Sequence, residues 1–173
     1  MNTTANKITL LRIALIPAFL ALAYTDHRIL AVAVFIVASL SDLLDGYIAR
    51  HYNQISNFGK FVDPLADKVL VLAAMCFLVE KGQMPGWVVT IILFREFAVS
   101  GLRLIAIERR RVIAAAWSGK VKTTCTMVGL CFMIVFTEYP ELDFFVTAVI
   151  LVTTVYSGIE YFLKNRDVLA ETD

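Results

Sequence analysis

The chain has 173 residues, of which 59% are hydrophobic and 18% charged, and its mean hydropathy is +0.74. An average soluble domain is roughly 45–50% apolar and about 25% charged, so this composition excludes a disordered chain, a disulfide scaffold and an ordinary soluble domain. The formal net charge of +1 argues against a nucleic-acid-binding protein, which usually carries a clear basic excess.

The apolar residues fall into six runs, each close to the ~20 residues that a transmembrane helix needs. Helix is expected in each run because a single span must satisfy its own backbone polar groups in lipid. We predict spans, in chain order, over residues 8–24, 29–49, 61–79, 85–107, 112–136 and 144–163. Residues 1–173 are therefore expected to form a single all-α integral membrane domain of six transmembrane helices.

Basic residues predict the orientation of these spans, because short loops rich in Lys and Arg remain on the cytoplasmic side. Such residues occur at the N-terminus, after the second and fourth spans and in the C-terminal tail: Lys7, Arg12, Arg50, Lys60, Arg109, Arg110, Arg111, Lys164 and Arg166. The alternate connections carry fewer of them. Both termini are therefore expected to be cytoplasmic.

Four aspartates lie where the second and third spans approach their connecting loop. Ionisable residues in a span cost roughly 2.5–3.5 kcal/mol each on insertion scales, so they indicate a functional site. Asp42 and Asp45 are three residues apart and Asp63 and Asp67 are four apart, so each pair shares a helix face. A short loop makes the two helices antiparallel neighbours, and the four carboxylates are expected to converge. Four unpaired anions repel one another, whereas Mg²⁺ or Mn²⁺ held by oxygen ligands removes the conflict.

The residues around these aspartates extend the pattern. The string reads Asp42-x2-Asp45-Gly46-x2-Ala49-Arg50-x8-Gly59-x3-Asp63-x3-Asp67. At all eight fixed positions it resembles the signature of the CDP-alcohol phosphatidyltransferase family, and the predicted six-span layout is also that of the family. With residue frequencies of roughly 5–10% each, chance agreement at a given start is rarer than about one in 10⁸.

The resemblance implies an activity, cofactors and site residues. Members of the family move a phosphatidyl group from CDP-diacylglycerol, or another group from a related CDP-alcohol, to an acceptor hydroxyl and release CMP, and they are usually homodimers. By resemblance, two divalent cations, Mg²⁺ or Mn²⁺, would be held by Asp42, Asp45, Asp63 and Asp67. The CDP moiety would lie against Asn6, Thr9, Gly46, Ala49, Arg50 and Gly59. Asp67 is also the candidate catalytic base, but a carboxylate beside a cation is a weak base and is expected to act mainly by orienting the hydroxyl.

A second polar set, in the fourth and fifth spans, bears on the acceptor. Arg95 and Arg103 are eight residues apart, a little over two helical turns, and so lie roughly on one side, while Lys120 and Lys122 open the fifth span. These four cations are expected to form a pocket for an anionic acceptor, because Arg binds phosphate through its planar fork. Other interpretations stay open: Arg103 and Lys122 as residues that reach the membrane interface, and Arg95 as the partner of Glu96.

Within the family, the segments around these cations resemble those of bacterial members that use glycerol 3-phosphate. The resemblance implies transfer to the primary hydroxyl of sn-glycerol 3-phosphate, giving phosphatidylglycerophosphate and CMP at the cytoplasmic face of the bacterial inner membrane. An inositol phosphate acceptor is the alternative within the family. A divalent-cation carrier is the alternative from another class, although its acids are expected near the midplane and in repeated halves.

Overall fold

The fold is described from a computed structural model of the chain. It describes residues 4–51, 57–108, 111, 113, 114 and 116–168. Within these ranges the side chains of residues 4–8, 42–51, 57–64 and 67 lie outside the description.

The described residues form six α-helices and one turn of 3-10 helix, with no strand among them. The helices are α1 (Thr4–Tyr24), α2 (Arg28–His51), α3 (Asn57–Glu80), α4 (Gly86–Glu108), α5 (Trp117–Val135) and α6 (Pro140–Lys164), and the 3-10 turn is Arg166–Val168. The prediction of an all-α chain with six long helices is confirmed in this described part.

Four helices begin at residues that differ from the prediction by four or more. α1 begins at Thr4 and not at residue 8, and α3 begins at Asn57 and not at residue 61. α5 begins at Trp117 and not at residue 112, because Ile113 and Ala116 lie in a non-helical connection and pack against the core of α4 and α6. Their apolar side chains are typical of a span, but tertiary contact has overridden helix propensity here. α6 begins at Pro140 and not at residue 144, since proline at the first position of a helix gives up no intrahelical hydrogen bond.

The contacts of the chain define two compact units, Met1–Lys81 with Ile134–Phe136, and Gly82–Met133 with Thr137–Asp173. In the first unit α1 packs on both α2 and α3, and α2 also packs on α3. Phe19 and Phe35 are fully buried, with ring centroids 5.6 Å apart. This packing holds α2 and α3, the two helices of the aspartate motif, against each other and against α1.

In the second unit α4 packs on α6 and on the 3-10 turn. The core consists of buried residues of these three elements: Val99, Leu102, Ala106, Tyr161 and Val168. The exposed pair of Arg111 and Asp167 lies beside this core, and the hydrogen bond from Arg111 lowers the pKa of the Asp167 carboxyl below its ordinary value. The chain after α6 thus packs on α4 through the buried Val168, and Asp167 pairs with Arg111 in the connection that follows α4.

A partly buried polar contact joins three further segments of the second unit. Gln83 Nε2 donates to the backbone oxygen of Met133 at 2.9 Å and lies 3.2 Å from both carboxylate oxygens of Asp143. Met133 is near the end of α5 and Asp143 is in the first turn of α6. Asp143 therefore contributes a buried carboxylate to the packing of the second unit.

Length and composition identify one helix among the described residues, Pro140–Lys164, as able to cross a membrane. Two shorter apolar helical stretches are Thr9–Tyr24 and Arg28–Ser41. In α4 the charged residues Arg95, Glu96 and Arg103 interrupt the apolar sequence. The six transmembrane spans stay a prediction.

Candidate active site

The four aspartates of the motif lie on two helices that pack together. Asp42 and Asp45 are in α2, and Asp63 and Asp67 are in α3. Both segments are helical, so spacings of three and four residues place the members of each pair on one face. Their side chains lie outside the described residues, and their convergence stays a prediction.

The other motif residues are distributed over the first three helices. Gly46, Ala49 and Arg50 are in α2, Gly59 is in α3, and Asn6 is in α1, all with side chains outside the description. Thr9, also in α1, is fully buried. The first unit therefore contains every residue that the family resemblance assigns to CDP and to the cations.

A buried arginine connects α1 to the start of the aspartate motif. Arg12 is fully buried, and its Nε donates a hydrogen bond to Ser41 Oγ at 3.2 Å. The Ser41 hydroxyl donates in turn to the backbone oxygen of Ala38 at 2.7 Å, and Asp42 is the next residue. From the sequence, Arg12 was expected to be an orientation signal, but the structure places it inside the first unit, hydrogen-bonded to Ser41. Ser41 directly precedes Asp42, a predicted cation ligand.

In the second unit, Arg95 and Lys122 meet at a single carboxylate. Glu96 Oε1 accepts from Arg95 Nη1 at 3.0 Å and from Lys122 Nζ at 2.7 Å. The Lys122 side chain is only 7% exposed and that of Arg95 14%. Lys122 is therefore a buried, paired cation and not an interface residue that reaches water. We call these three residues the Glu96 cluster.

The rest of the Arg95 side chain lies between α5 and α6. Its Nη2 donates to the buried Ser157 hydroxyl at 2.5 Å. A Cβ built on Gly158 would be 3.1 Å from Arg95 Cγ, and one built on Gly119 would be 3.8 Å from Nη2. The absence of a side chain at Gly158 leaves room for the arginine, whereas a Cβ at Gly119 would make only an ordinary contact. Ser157 fixes the far end of the arginine side chain.

The remaining two predicted acceptor residues have other neighbours. Arg103 Nε donates to Tyr161 Oη at 2.9 Å, and its guanidinium carbon lies 5.5 Å from the centre of that ring. Lys120 is exposed, with its Nζ 5.9 Å from the ring centre of Trp117. Thus Arg95 and Lys122 belong to one cluster. Arg103 is held by Tyr161, which lies one turn of α6 after Ser157, the partner of Arg95. Lys120 lies on the surface.

Comparison with known proteins identifies the family. The model of the CDP-alcohol phosphatidyltransferase family matches residues 2–159 of this chain. The chain belongs to the CDP-alcohol phosphatidyltransferase family. It is 44% identical to a CDP-diacylglycerol–glycerol-3-phosphate 3-phosphatidyltransferase of Bacillus subtilis over 98% of both chains. It is 37% identical to the enzyme of the same name from Escherichia coli K12 over 92% of both chains.

The family assignment confirms the interpretation of the aspartate string, although the roles of its individual residues stay predictions. Four carboxylates on two packed helices are a donor set that suits hard divalent cations. Among the side chains that the structure describes, no group of three or more His, Cys, Asp or Glu residues is placed to hold a metal. The predicted ligands themselves fall outside that set of side chains.

Sequence reasoning missed the contribution of α6 to this phosphatidyltransferase. Ser157 and Tyr161, four residues apart on one face of α6, accept the hydrogen bonds of Arg95 and Arg103, and Gly158 makes space for Arg95. The pair Ser157-Gly158 within the sixth apolar run was the sequence feature that could have indicated this contribution. Glu160, also in α6, pairs with Lys164 one turn later.

Proposed function

We propose that this chain transfers the phosphatidyl group of CDP-diacylglycerol to the primary hydroxyl of sn-glycerol 3-phosphate, giving phosphatidylglycerophosphate and CMP. The observation that carries the proposal is the complete eight-position motif on the packed helices α2 and α3. The names of two relatives, 44% and 37% identical over nearly the whole chain, state the same substrates.

The reaction requires one substitution at phosphorus. The acceptor oxygen forms a bond to the phosphorus that carries diacylglycerol, the bond from that phosphorus to the oxygen of CMP breaks, and CMP departs with the electron pair. The hydroxyl proton leaves during the attack. The protein must therefore bind a highly charged diphosphate, orient one hydroxyl and receive or release one proton.

In this proposal Asp42, Asp45, Asp63 and Asp67 hold two divalent cations, Mg²⁺ or Mn²⁺. When bound, such a pair neutralises charge on both sides of the displaced bond. Asp67 also orients the acceptor hydroxyl and is the candidate to accept its proton. This assignment is supported by the oxygen chemistry of the four side chains and by their spacing on two helices.

The nucleotide is assigned to residues of the first unit that the family resemblance indicates: Asn6, Thr9, Gly46, Ala49, Arg50 and Gly59. The acceptor phosphate is assigned to Arg95, Arg103, Lys120 and Lys122 of the second unit. The Glu96 cluster supports the second assignment, because it holds one buried cation, Lys122, and one partly buried cation, Arg95. A guanidinium or ammonium is a strong donor to a phosphate oxygen. The cluster supports the assignment of Arg95 and Lys122 more strongly than that of Arg103 and Lys120, which lie outside it.

The proposal includes a multi-pass position in the bacterial inner membrane, with both termini and the site at the cytoplasmic face, and a homodimer, as the family resemblance implies. Large apolar side chains on α4 and α6 support contact with lipid. Phe94, Leu104, Phe144 and Val152 are between 64% and 79% exposed. Exposed apolar area of this extent is typical of a surface that faces a membrane or a partner.

A transfer assay with three acceptors tests the proposed function. Purified protein in mixed micelles would receive CDP-diacylglycerol and Mg²⁺, with glycerol 3-phosphate, inositol 1-phosphate or serine in parallel. Release of CMP and formation of phosphatidylglycerophosphate with glycerol 3-phosphate alone is the expected result. CMP release only with another acceptor would overturn the acceptor assignment, and no CMP release from folded protein would overturn the transferase and favour a cation carrier.

A further inference from the structure

The Glu96 cluster contains one residue to which neither the family motif nor the predicted acceptor set gives a role. Glu96 is a carboxylate in the middle of a group assigned to an anionic ligand, where a negative charge opposes binding. Its position must therefore have a compensating effect. The geometry shows what that effect is, since a single oxygen, Oε1, accepts from both Arg95 and Lys122.

We infer that Glu96 is a positioning residue for the acceptor phosphate, an inference that rests on the proposed function. Arg95 comes from α4 and Lys122 from α5, and Glu96 Oε1 fixes Nη1 of the first and Nζ of the second at 3.0 and 2.7 Å. Without this carboxylate, the buried Lys122 ammonium and the partly buried Arg95 guanidinium, on different helices, would repel each other and separate. Glu96 thus keeps both within reach of a single phosphate group.

The two cations retain the capacity to bind a ligand while they are held. An ammonium has three N–H groups and a guanidinium five, and the bonds to Glu96 and Ser157 use one from Lys122 and two from Arg95. Arg95 Nε is buried and has no hydrogen-bond partner among the described residues. A buried donor without a partner is costly, and a phosphate oxygen is the acceptor that the proposed reaction supplies.

The charge balance is consistent with this role. Arg95 and Lys122 contribute two positive charges and Glu96 one negative charge, so the cluster retains a net charge of +1 for an anion. Two unpaired cations at this depth would carry a larger desolvation cost in the absence of substrate. The carboxylate lowers that cost, and the phosphate finds its donors already ordered.

Glu96→Gln is the variant that tests the inference, because it removes the charge and keeps the size of the side chain. We expect the KM for glycerol 3-phosphate to rise about tenfold, as a charge-assisted hydrogen bond is lost. The KM for CDP-diacylglycerol should stay within about twofold of the wild-type value. The variant is expected to weaken only the binding of glycerol 3-phosphate, and a loss of binding contacts raises the KM of the substrate that made them. The inhibition constant of inorganic phosphate, competing with glycerol 3-phosphate, should rise in parallel.

Two further variants separate positioning from a purely structural role. Glu108→Gln makes the same chemical change at the exposed end of the same helix and should leave both KM values unchanged. Glu96→Asp keeps the charge on a shorter side chain and should give an intermediate KM for glycerol 3-phosphate. Thermal unfolding of each purified variant measures folding independently of activity.

The outcomes distinguish this inference from the proposed function. Wild-type protein that transfers nothing to glycerol 3-phosphate overturns the proposed function, and ³¹P NMR titration with inorganic phosphate alone then tests whether Glu96→Gln weakens anion binding. Active wild-type protein with an unchanged KM for glycerol 3-phosphate in folded Glu96→Gln overturns the inference. An equal rise in both KM values does so too, because it indicates a structural role. If Glu96→Gln does not fold, the same criteria apply to Glu96→Asp.

Discussion

Replacement of three glycines by alanine tests the position of Arg95 in graded steps. A Cβ at Gly158 would lie 3.1 Å from Arg95 Cγ, one at Gly119 would lie 3.8 Å from Nη2, and one at Gly101 would meet nothing within 4 Å. Carbon atoms prefer a separation of about 3.5–4.0 Å, so only Gly158→Ala forces the arginine to move. The three variants make the same chemical change in three helical positions.

The expected effect of Gly158→Ala follows from the length of the arginine side chain. A shift of Cγ by about 0.4 Å turns the side chain through roughly 15° and carries the guanidinium about 1 Å. The 2.5 Å hydrogen bond to Ser157 would then be lost or lengthened. We expect the KM for glycerol 3-phosphate to rise about tenfold in Gly158→Ala, which corresponds to about 1.4 kcal/mol of binding free energy.

Steady-state transfer assays with each substrate varied in turn measure this series. Gly119→Ala should raise the KM for glycerol 3-phosphate less than about threefold, since the added methyl group makes only an ordinary contact. Gly101→Ala should leave it unchanged. A KM for glycerol 3-phosphate in Gly158→Ala within about twofold of wild type, or an equal rise for CDP-diacylglycerol, would refute the placement of Arg95 at the acceptor phosphate.

Three further predictions concern other parts of the chain. Asp63→Asn should abolish CMP release by weakening cation binding, and near-normal activity at saturating Mg²⁺ would contradict its role. Lys122→Met should raise the KM for glycerol 3-phosphate more than Lys120→Met does, because Lys122 is buried in the Glu96 cluster and Lys120 is exposed; equal effects would argue against the cluster. Asp167→Asn should lower the thermal unfolding midpoint at neutral pH, and the difference from wild type should shrink as the pH falls below about 4, because a lowered carboxyl pKa stabilises the fold only while the group is charged. A difference that does not change with pH would show that the pair with Arg111 is not its source.

The family and the helix count were predictable from sequence, because each depends on local pattern. The aspartate motif is fixed by spacing along two helices, and apolar runs of about 20 residues produce helices in a membrane or in a core. The family match over residues 2–159 confirms the first, and the six helices of the described residues confirm the second. Helix ends were predicted less well, since Ile113 and Ala116 are apolar for reasons of packing in a non-helical connection.

The arrangement of the acceptor residues was only partly predictable. Spacing placed Arg95 and Arg103 on one side of α4, and both do contact α6. Spacing within one helix carries no information about which residue of another helix receives a side chain, so the roles of Ser157 and Gly158 were missed. Spacing also assigned both Lys122 and Lys120 to the acceptor phosphate without distinguishing them, whereas tertiary packing buries Lys122 and leaves Lys120 exposed.

The proposed function is the transfer of a phosphatidyl group from CDP-diacylglycerol to glycerol 3-phosphate. The most direct test is the stoichiometry of products formed by purified wild-type protein, with CMP measured by chromatography and the lipid identified by mass spectrometry. The proposed reaction predicts one phosphatidylglycerophosphate for each CMP, with neither product formed when glycerol 3-phosphate is omitted. CMP release without acceptor, or a lipid product of another mass, would contradict it.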